Sequence, residues 1–372
     1  MRVAVLSHTY VEPESRKKLY ALAQQGIEVT LIVPEYWQEG ALGKEWKVAA
    51  GLDHDIRVVP VRVQRLLSTP AAARWDISAI AQELSRGSFD LLHVEEEPWS
   101  LAARASVRLS RRYGVPVVLF TWQNLAHRPP WPLRILARRV LSRCTGWVAG
   151  NQAAAELLKR VDPSRPLAVI PQVGIDPPQP ESAGRDSAPP LTVGYVGRLV
   201  PEKGVADLLS ALAGVDHAWR CAIVGDGPER TALELAADNL GIADRVAFRG
   251  AVPHREVEGL VRGLDVLVLP SRTTRRWAEQ FGHVLLEAMA AGAVVVGSDS
   301  GAIPEVIGEA GVIFPEGDAQ ALARIIEELA GDPDRRSRLR VAGGERAAEF
   351  THEHIARRLI RFWKEALGAA DA

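Results

Sequence analysis

Short apolar runs of three to five residues alternate with helix-patterned stretches along nearly the whole chain, and this alternation limits the fold more than any other feature. Runs such as Val3–Leu6, Val29–Val33, Ile56–Val59, Leu91–Val94, Val117–Phe120, Trp147–Ala149 and Ala168–Ile170 are too continuous for half-solvated strands. They read as strands buried on both faces, which are found in parallel sheets covered by helices. Glu14–Gln25, Ile77–Arg86, Leu101–Tyr113 and Leu133–Arg143 supply helices between them. The alternation stops at Pro177-Pro-Gln-Pro-Glu-Ser-Ala-Gly-Arg-Asp-Ser-Ala-Pro189-Pro190, which is aperiodic and rich in turn formers. It resumes with strands at Val193–Val196, Cys221–Val224, Val246–Arg249, Val266–Leu269, Val294–Gly297 and Val312–Phe314. The expected class is α/β: two similar parallel-sheet domains with a cleft between them. The first spans residues 1–178, a linker 179–190 and the second 191–350. The tail from Asp332 onward reads as helical throughout, and its Phe362, Trp363 and Leu367 are apolar anchors that need a surface to pack on.

At 372 residues, 47% of them hydrophobic and 24% charged, the chain has core enough for two such domains. It contains no apolar run of the roughly 20 residues a spanning helix needs, and Met1-Arg-Val-Ala-Val-Leu-Ser reads as a first strand rather than a signal sequence. Cys144 and Cys221 fall in different domains and form neither a disulfide framework nor a zinc cluster, so a cytoplasmic protein with reduced thiols is expected. The net charge of −1 conceals 23 Lys and Arg against 17 Asp and Glu over residues 1–178. A basic first half suits an anionic acceptor or a membrane surface, although small excesses also arise by chance. Without an overall basic excess or a recognisable module, nucleic acid is not an expected partner.

Glu279-Gln-Phe-Gly-His-Val-Leu-Leu-Glu287-Ala-Met-Ala follows the strand Val266–Leu269 and a polar loop from Thr273 to Glu279. It places one carboxylate before a helix and one inside it. The amides near Phe281 and Gly282 sit where a helix N-terminus binds anionic or hydroxyl oxygens. Glu279 and Glu287 can accept hydrogen bonds from sugar hydroxyls. Glu287 can also be read as a solvated helix residue, but the helix around it is apolar nearly all round, and a carboxylate in a buried helix needs a partner. In Val193-Gly-Tyr-Val-Gly197-Arg-Leu-Val-Pro-Glu-Lys203-Gly, Arg198 and Lys203 reach the strand's C-terminal rim and suit a diphosphate. The alternative leaves Lys203 solvated and Arg198 in a local ion pair. Val224-Gly-Asp226-Gly-Pro228 and Ser298-Asp-Ser-Gly-Ala-Ile-Pro-Glu305 repeat the strand, glycine turn and helix, so a shared nucleotide site gains support.

These motifs, in this order, resemble the retaining glycosyltransferases of family 4 (glycosyl transferases group 1), most strongly over residues 191–320. The resemblance implies a GT-B fold, in which two Rossmann-like, doubly wound parallel-sheet domains face a cleft and the last helix, residues 351–372, crosses back to pack Phe362 and Trp363 on the first domain. It further implies transfer of a hexose from a UDP- or GDP-sugar, with retention, to a hydroxyl of a glycan, lipid-linked or small-molecule acceptor. It implies no cofactor and no metal, the nucleoside diphosphate sugar being the co-substrate. Arg198, Lys203 and Glu279 become the expected catalytic set, with Gly197, Asp226, Phe281, Gly282 and Glu287 binding the donor. On the acceptor side the chain departs from its relatives. Ser7-His8-Thr-Tyr10 replaces a glycine-rich loop, and Gln123 stands where many relatives carry histidine. His8, Tyr10, His93 and Gln123 are candidate acceptor or sugar contacts, each also readable as a satisfied structural polar group. Glu95 to Glu97 lie at the same strand end as His93.

Asp53-His-Asp55 and Asp332-Pro-Asp334 have the form of manganese ligands but sit in polar loops, and read as turns. Trp131-Pro-Leu-Arg-Ile-Leu-Ala-Arg-Arg-Val-Leu-Ser-Arg143 is basic and amphipathic, suited to peripheral membrane contact or to packing on the sheet. Other chemistry on the same fold, such as sugar-nucleotide epimerisation, and a non-catalytic sugar-nucleotide-binding module remain the rival functions.

Overall fold

The computed structural model describes residues 1–38, 45–65, 69–125, 131–178 and 189–369, and the chain divides into two compact units. One comprises Met1–Gly174 with His352–Ala372; the other is Ile175–Thr351. Apart from Pro189 and Pro190, the expected linker lies outside the described residues.

The first unit contains strands β1 (Arg2–Leu6), β2 (Glu28–Pro34), β3 (Tyr36–Gln38), β4 (Glu45–Lys47), β5 (Gly51–Asp53), β6 (Ile56–Val61), β7 (Val63–Arg65), β8 (Ala73–Trp75), β9 (Leu91–Val94), β10 (Val117–Thr121), β11 (Gly146–Ala149) and β12 (Leu167–Val169). Eight form one sheet in the order β12-β11-β10-β9-β1-β2-β6-β5, parallel except for the β5–β6 pair. The centre of the sheet is inaccessible: Val3, Ala4, Val5 and Leu6 of β1 are all 0% exposed. Five short strands, β3, β4, β5, β7 and β8, escape the sequence reading. Each is a three-residue segment interrupted by a polar, charged or glycine residue, so no apolar run marks it, and each forms an antiparallel pair.

Helix boundaries follow local capping chemistry. Asp76 accepts from the amides of Ser78 and Ala79 to start the helix Ile77–Arg86. Ser100 Oγ accepts from Ala103 N to start Leu101–Tyr113. The first expected helix is shorter than its periodicity implies. Its α-helical part is Lys17–Gln24, and Pro13–Arg16 ahead of it forms a 3-10 turn.

The second unit contains β13 (Leu191–Val196), β14 (Trp219–Val224), β15 (Val246–Gly250), β16 (Val266–Leu269), β17 (Val294–Ser298) and β18 (Val312–Phe314), all parallel, in the order β15-β14-β13-β16-β17-β18. Numbered within the unit this is 3-2-1-4-5-6, the doubly wound dinucleotide-binding order. Asp265, just before β16, accepts from Thr192 N and from Arg340 Nη2 at 2.9 Å each, so a buried ion pair ties the helix Pro333–Ala348 to the middle of the sheet.

The tail is not one continuous helix. Pro333–Ala348 ends before Glu349-Phe350-Thr351, and His352–Gly368 follows. The break is held by backbone pairing: Ile175 N donates to Phe350 O, and Ile175 bridges Thr351 in a parallel sense. Asp332 caps the N-terminus of the first of these helices, and Asp53 accepts from Arg16 and Tyr20, so both aspartate pairs serve local structure. The last helix packs within the first unit. Trp363 is 0% exposed with its ring 5.3 Å from His93, and Arg358 Nη2 donates to Val169 O. Trp363→Ala is expected to cost about 3–5 kcal/mol of unfolding free energy, measured by chemical denaturation; a loss below about 1 kcal/mol would contradict this helix's role in closing the core.

Candidate active site

Each sheet reverses its winding once, and at such a reversal the C-terminal ends of two neighbouring strands diverge to leave a crevice. In the second unit the reversal lies between β13 and β16. Gly197 and Arg198 leave β13 there, and Pro270 and Ser271 leave β16. After β13 the chain makes a 3-10 turn, Pro201–Lys203, closed by Gly204 at φ +64°. A Cβ on Gly204 would stand 2.0 Å from the Pro270 carbonyl oxygen, so only glycine lets this turn close on the β16 loop. That approach holds Lys203 beside the loop: its Nζ lies 2.6 Å from Glu279 Oε2 and 4.9 Å from the centre of the Trp277 ring. Ser271 Oγ donates to the same Glu279 oxygen at 2.8 Å. Gly301, at φ +55°, does for Glu279 what Gly204 does for Lys203: a Cβ there would be 2.1 Å from the Glu279 carbonyl, which instead accepts from Ala302 N at 2.9 Å.

Arg198 is exposed, and its guanidinium makes no ion pair or hydrogen bond among the described residues; its carbonyl is held by Tyr195 OH at 2.8 Å. Asp226 lies in the turn after β14 and accepts from Gly227 N. Phe281 is buried, edge-on to His283 and Phe350, and Gly282 (φ +77°) precedes the helix His283–Ala290. Glu287 is half-buried on that helix. Every residue expected at the donor site thus belongs to this unit. Trp277, in the polar loop from Thr273 to Glu279, and Ser271, just ahead of that loop, join them.

The first unit reverses between β1 and β9. Ser7 and His8 leave β1, and Glu95, Glu96 and Glu97 leave β9. Glu95 is fully enclosed. It receives Lys18 Nζ at 2.5 Å, Tyr10 OH at 2.6 Å, Gln172 Nε2 at 3.0 Å and pairs with His93 Nε2 at 3.1 Å. Burial alone would raise its pKa, but Lys18 and His93 hold it well below the usual carboxylate range. Tyr10 and His93, at 0% and 1% exposure, are spent on this network. Their reading as acceptor contacts is corrected to a structural one, because a side chain sealed in the core reaches no acceptor. Gln123 likewise turns to Leu125 O, at 3.4 Å.

His8 is different. It lines a cavity of about 300 Å³ together with Thr9, Glu95, Glu96, Glu97, Trp99, Phe120, Trp122 and Gln172. Burial opposes charge on its imidazole, but Glu96, 2.7 Å from Nδ1, outweighs this and raises the pKa. Glu97 accepts from Thr121 Oγ1 at 2.5 Å and Trp122 N at 3.1 Å. Burial dominates these bonds and pushes its carboxyl up to about 7. Sequence reasoning had set Glu97 among three strand-end carboxylates without separating it from them; the distinction depends on which of the three has a cation, and that is a matter of tertiary contact.

Among the described residues no three His, Cys, Asp or Glu side chains are grouped to hold a metal ion, and no helix is long and apolar enough to cross a membrane. The helix Trp131–Leu141 buries Val140 and Leu141 and leaves Trp131 71% exposed.

Two Rossmann-like sheets, each reversing its winding once, are the architecture of the GT-B class of sugar-transferring enzymes. Profiles of two families match the chain: Glycosyltransferase Family 4 over residues 19–177 and Glycosyl transferases group 1 over residues 181–346. A D-inositol 3-phosphate glycosyltransferase of Frankia alni is 32% identical over 76% of this chain and 76% of its own length. A 2-deoxystreptamine glucosyltransferase of Streptomyces kanamyceticus is 27% identical over 74% of this chain and 77% of its own. A solved Anabaena structure in complex with UDP superposes with a TM-score of 0.73 at 21% identity, covering 98% of this chain and all of that one. The chain belongs to the family 4 glycosyltransferases.

The high pKa of Glu97 has a consequence for stability. A carboxyl whose folded pKa lies above its unfolded value of 4.5 favours folding while protonated, and that contribution is lost as pH rises through about 7. Glu97→Gln is therefore expected to raise the melting temperature at pH 8 and leave it nearly unchanged at pH 4.5, as read by calorimetry. A variant less stable than the parent at pH 8 would refute the assignment.

Proposed function

We propose that the chain transfers a hexose from a UDP- or GDP-sugar to a hydroxyl of a glycan, lipid-linked or small-molecule acceptor, with retention at the anomeric carbon and without a metal ion. The observation that carries this reading lies in the loop that leaves β13 at the second unit's reversal: an exposed Arg198 guanidinium with no ion pair among the described residues, followed by a Lys203 ammonium already fixed by Glu279. Departure of a diphosphate from an oxocarbenium-like centre requires positive charge at the phosphate oxygens in fixed geometry. Arg198 offers a planar fork to two oxygens, and Lys203, with three N–H donors, keeps Glu279 while giving the others to phosphate. Glu279 and the amides beside Phe281 and Gly282 hold the sugar hydroxyls, Glu287 the ribose, and Gly197 and Asp226 border the nucleotide. The family membership and a UDP-bound structure of the same fold support a nucleotide-sugar donor. The leaving phosphate oxygen accepts the acceptor's proton, so no separate base is assigned.

A thermal-shift screen with UDP, GDP and ADP tests the donor site, since a ligand that binds only the folded state raises the midpoint by mass action, about 2.7 kcal/mol at a hundredfold excess over Kd. One nucleotide is expected to raise it selectively, with or without EDTA, and Arg198→Ala to abolish the shift. With the matching donor sugar, Arg198→Ala is expected to lower kcat about 10²–10³-fold. No shift with any nucleotide, or full activity in Arg198→Ala, would overturn the reading.

Peripheral membrane contact is part of the same proposal. It is supported by exposed Trp131 and Leu133 on a helix that also exposes Arg134, Arg138 and Arg139. A basic helix with apolar side chains free of the core suits an anionic lipid interface. Co-sedimentation with phosphatidylglycerol vesicles, weakened by salt and by Trp131→Ser, is expected; equal recovery with phosphatidylcholine vesicles would contradict it.

A further inference from the structure

We infer that the cavity of the first unit takes its acceptor by a positively charged amino group, with the Glu97 carboxylate as the group's counter-ion and the rings of Trp99 and Trp122 as its walls. The inference rests on reading the chain as a transferase and names the chemical class of its acceptor. It begins from the charges around the cavity. Glu95 is compensated by Lys18 at 2.5 Å, and Glu96 by His8 at 2.7 Å. Glu97 has no cation: its described partners are the Thr121 hydroxyl and the Trp122 amide, both neutral. None of the residues lining the cavity is Lys or Arg.

A carboxylate has room for about four hydrogen bonds, and Glu97 receives one on each oxygen from the protein. The rest of its capacity faces a space of about 300 Å³, large enough for a small polyol. The walls suit the same guest. Trp122 is fixed by its Nε1 bond to Gln172 Oε1 at 2.9 Å and by edge contact with Phe120 at 5.2 Å. Indole faces attract cations and pack against the C–H faces of saturated rings. Among the described residues a phosphate in this cavity would meet three consecutive carboxylates, while the nearby cations are already engaged, Lys18 by Glu95 and Arg65 by the Gln38 carbonyl.

Among the described residues the titrating and charged groups around Glu97 are Glu95 and Glu96 on its own segment, His8 from the loop after β1, Arg65 of β7 acting on His8, and Lys18 behind Glu95; β10 contributes only neutral donors. An arriving ammonium stabilises the ionised form of Glu97, so its binding expels the proton that Glu97 retains near neutral pH.

The test is calorimetric titration of the full chain with scyllo-inosamine, scyllo-inositol and scyllo-inositol phosphate, which differ in one substituent. At pH 8 the amine is expected to bind about tenfold or more tighter than the neutral cyclitol, and the phosphate more weakly than both. Lowering the pH from 8 to 6 should weaken the amine about tenfold and leave the neutral compound unchanged. Glu97→Gln should erase both the preference and the pH dependence while keeping the nucleotide-induced midpoint shift. Equal binding of the three, tighter binding of the phosphate, or an amine preference that survives Glu97→Gln would overturn the inference. So would the absence of any cyclitol binding in protein whose midpoint still rises with nucleotide, and that result would leave the transferase reading intact. Loss of the nucleotide response as well would overturn both.

Discussion

A parallel sheet is buried on both faces by its crossover helices, so it can meet a ligand only at its ends, and it opens only where consecutive crossovers run in opposite directions. This chain contains two such reversals, one between β1 and β9 and one between β13 and β16. The residues assigned to chemistry lie mainly on the loops that leave those four strands. The helices and the remaining strands hold the two pairs of strand ends in place. The Asp265–Arg340 ion pair does so from beneath in the second unit, and the Lys18–Glu95 pair does so from within in the first.

The two sites use charge differently. In the second unit the fixed pair is Lys203 with Glu279, and Arg198 is left without an ionic partner, so the surplus is positive. In the first unit the fixed pairs are Lys18 with Glu95 and His8 with Glu96, and Glu97 is left, so the surplus is negative. In both, the compensated pairs hold the loop geometry while a single uncompensated group remains for a ligand. A buried charge without a partner is costly. The cost is visible in Glu97, whose carboxyl keeps its proton to about pH 7, whereas Arg198 avoids it by remaining exposed.

Much of this was legible in the sequence. The principal strands were marked by apolar runs bounded by turn residues, and those runs are long because interior strands of a parallel sheet have no polar face. Val3 to Leu6 and Val294 to Val296 are buried without interruption. The turns after β13 and β17 were legible too, since Gly204 and Gly301 answer to backbone approaches that no other residue permits. The first unit was harder to read. Tyr10, His93 and Glu97 have the same chemical potential for acceptor contact when read along the chain. Their roles diverge because Glu95 draws Tyr10 and His93 into the core and leaves Glu97 outside that network. His93 is only two residues from Glu95, but Tyr10 and Lys18 reach it from 85 and 77 positions away, and no local pattern encodes those contacts. The break at Glu349 to Thr351 is of the same kind: the segment is helix-compatible, and a bridge to Ile175 interrupts it.

The unequal legibility has a physical origin. A diphosphate presents the same oxygens whatever sugar it carries, and it can be met by backbone approach and two cations, features that leave glycines and basic residues at fixed places in the sequence. An acceptor is recognised by whichever side chains protrude into one cavity, and a polar residue there is exchangeable so long as its neighbours balance its charge. In this chain the balance is incomplete at one position. His8 lies close enough to lower the proton affinity of Glu97 but is bonded to Glu96, so its charge, when present, is largely spent. Moving that histidine to Glu97 would complete the balance in the empty cavity and remove the reason for a cation to enter. The specificity of the first unit therefore depends on which of two adjacent carboxylates the histidine pairs with, a choice made by the His8 amide, which donates to Glu96 Oε1 at 3.0 Å and fixes the register of the loop.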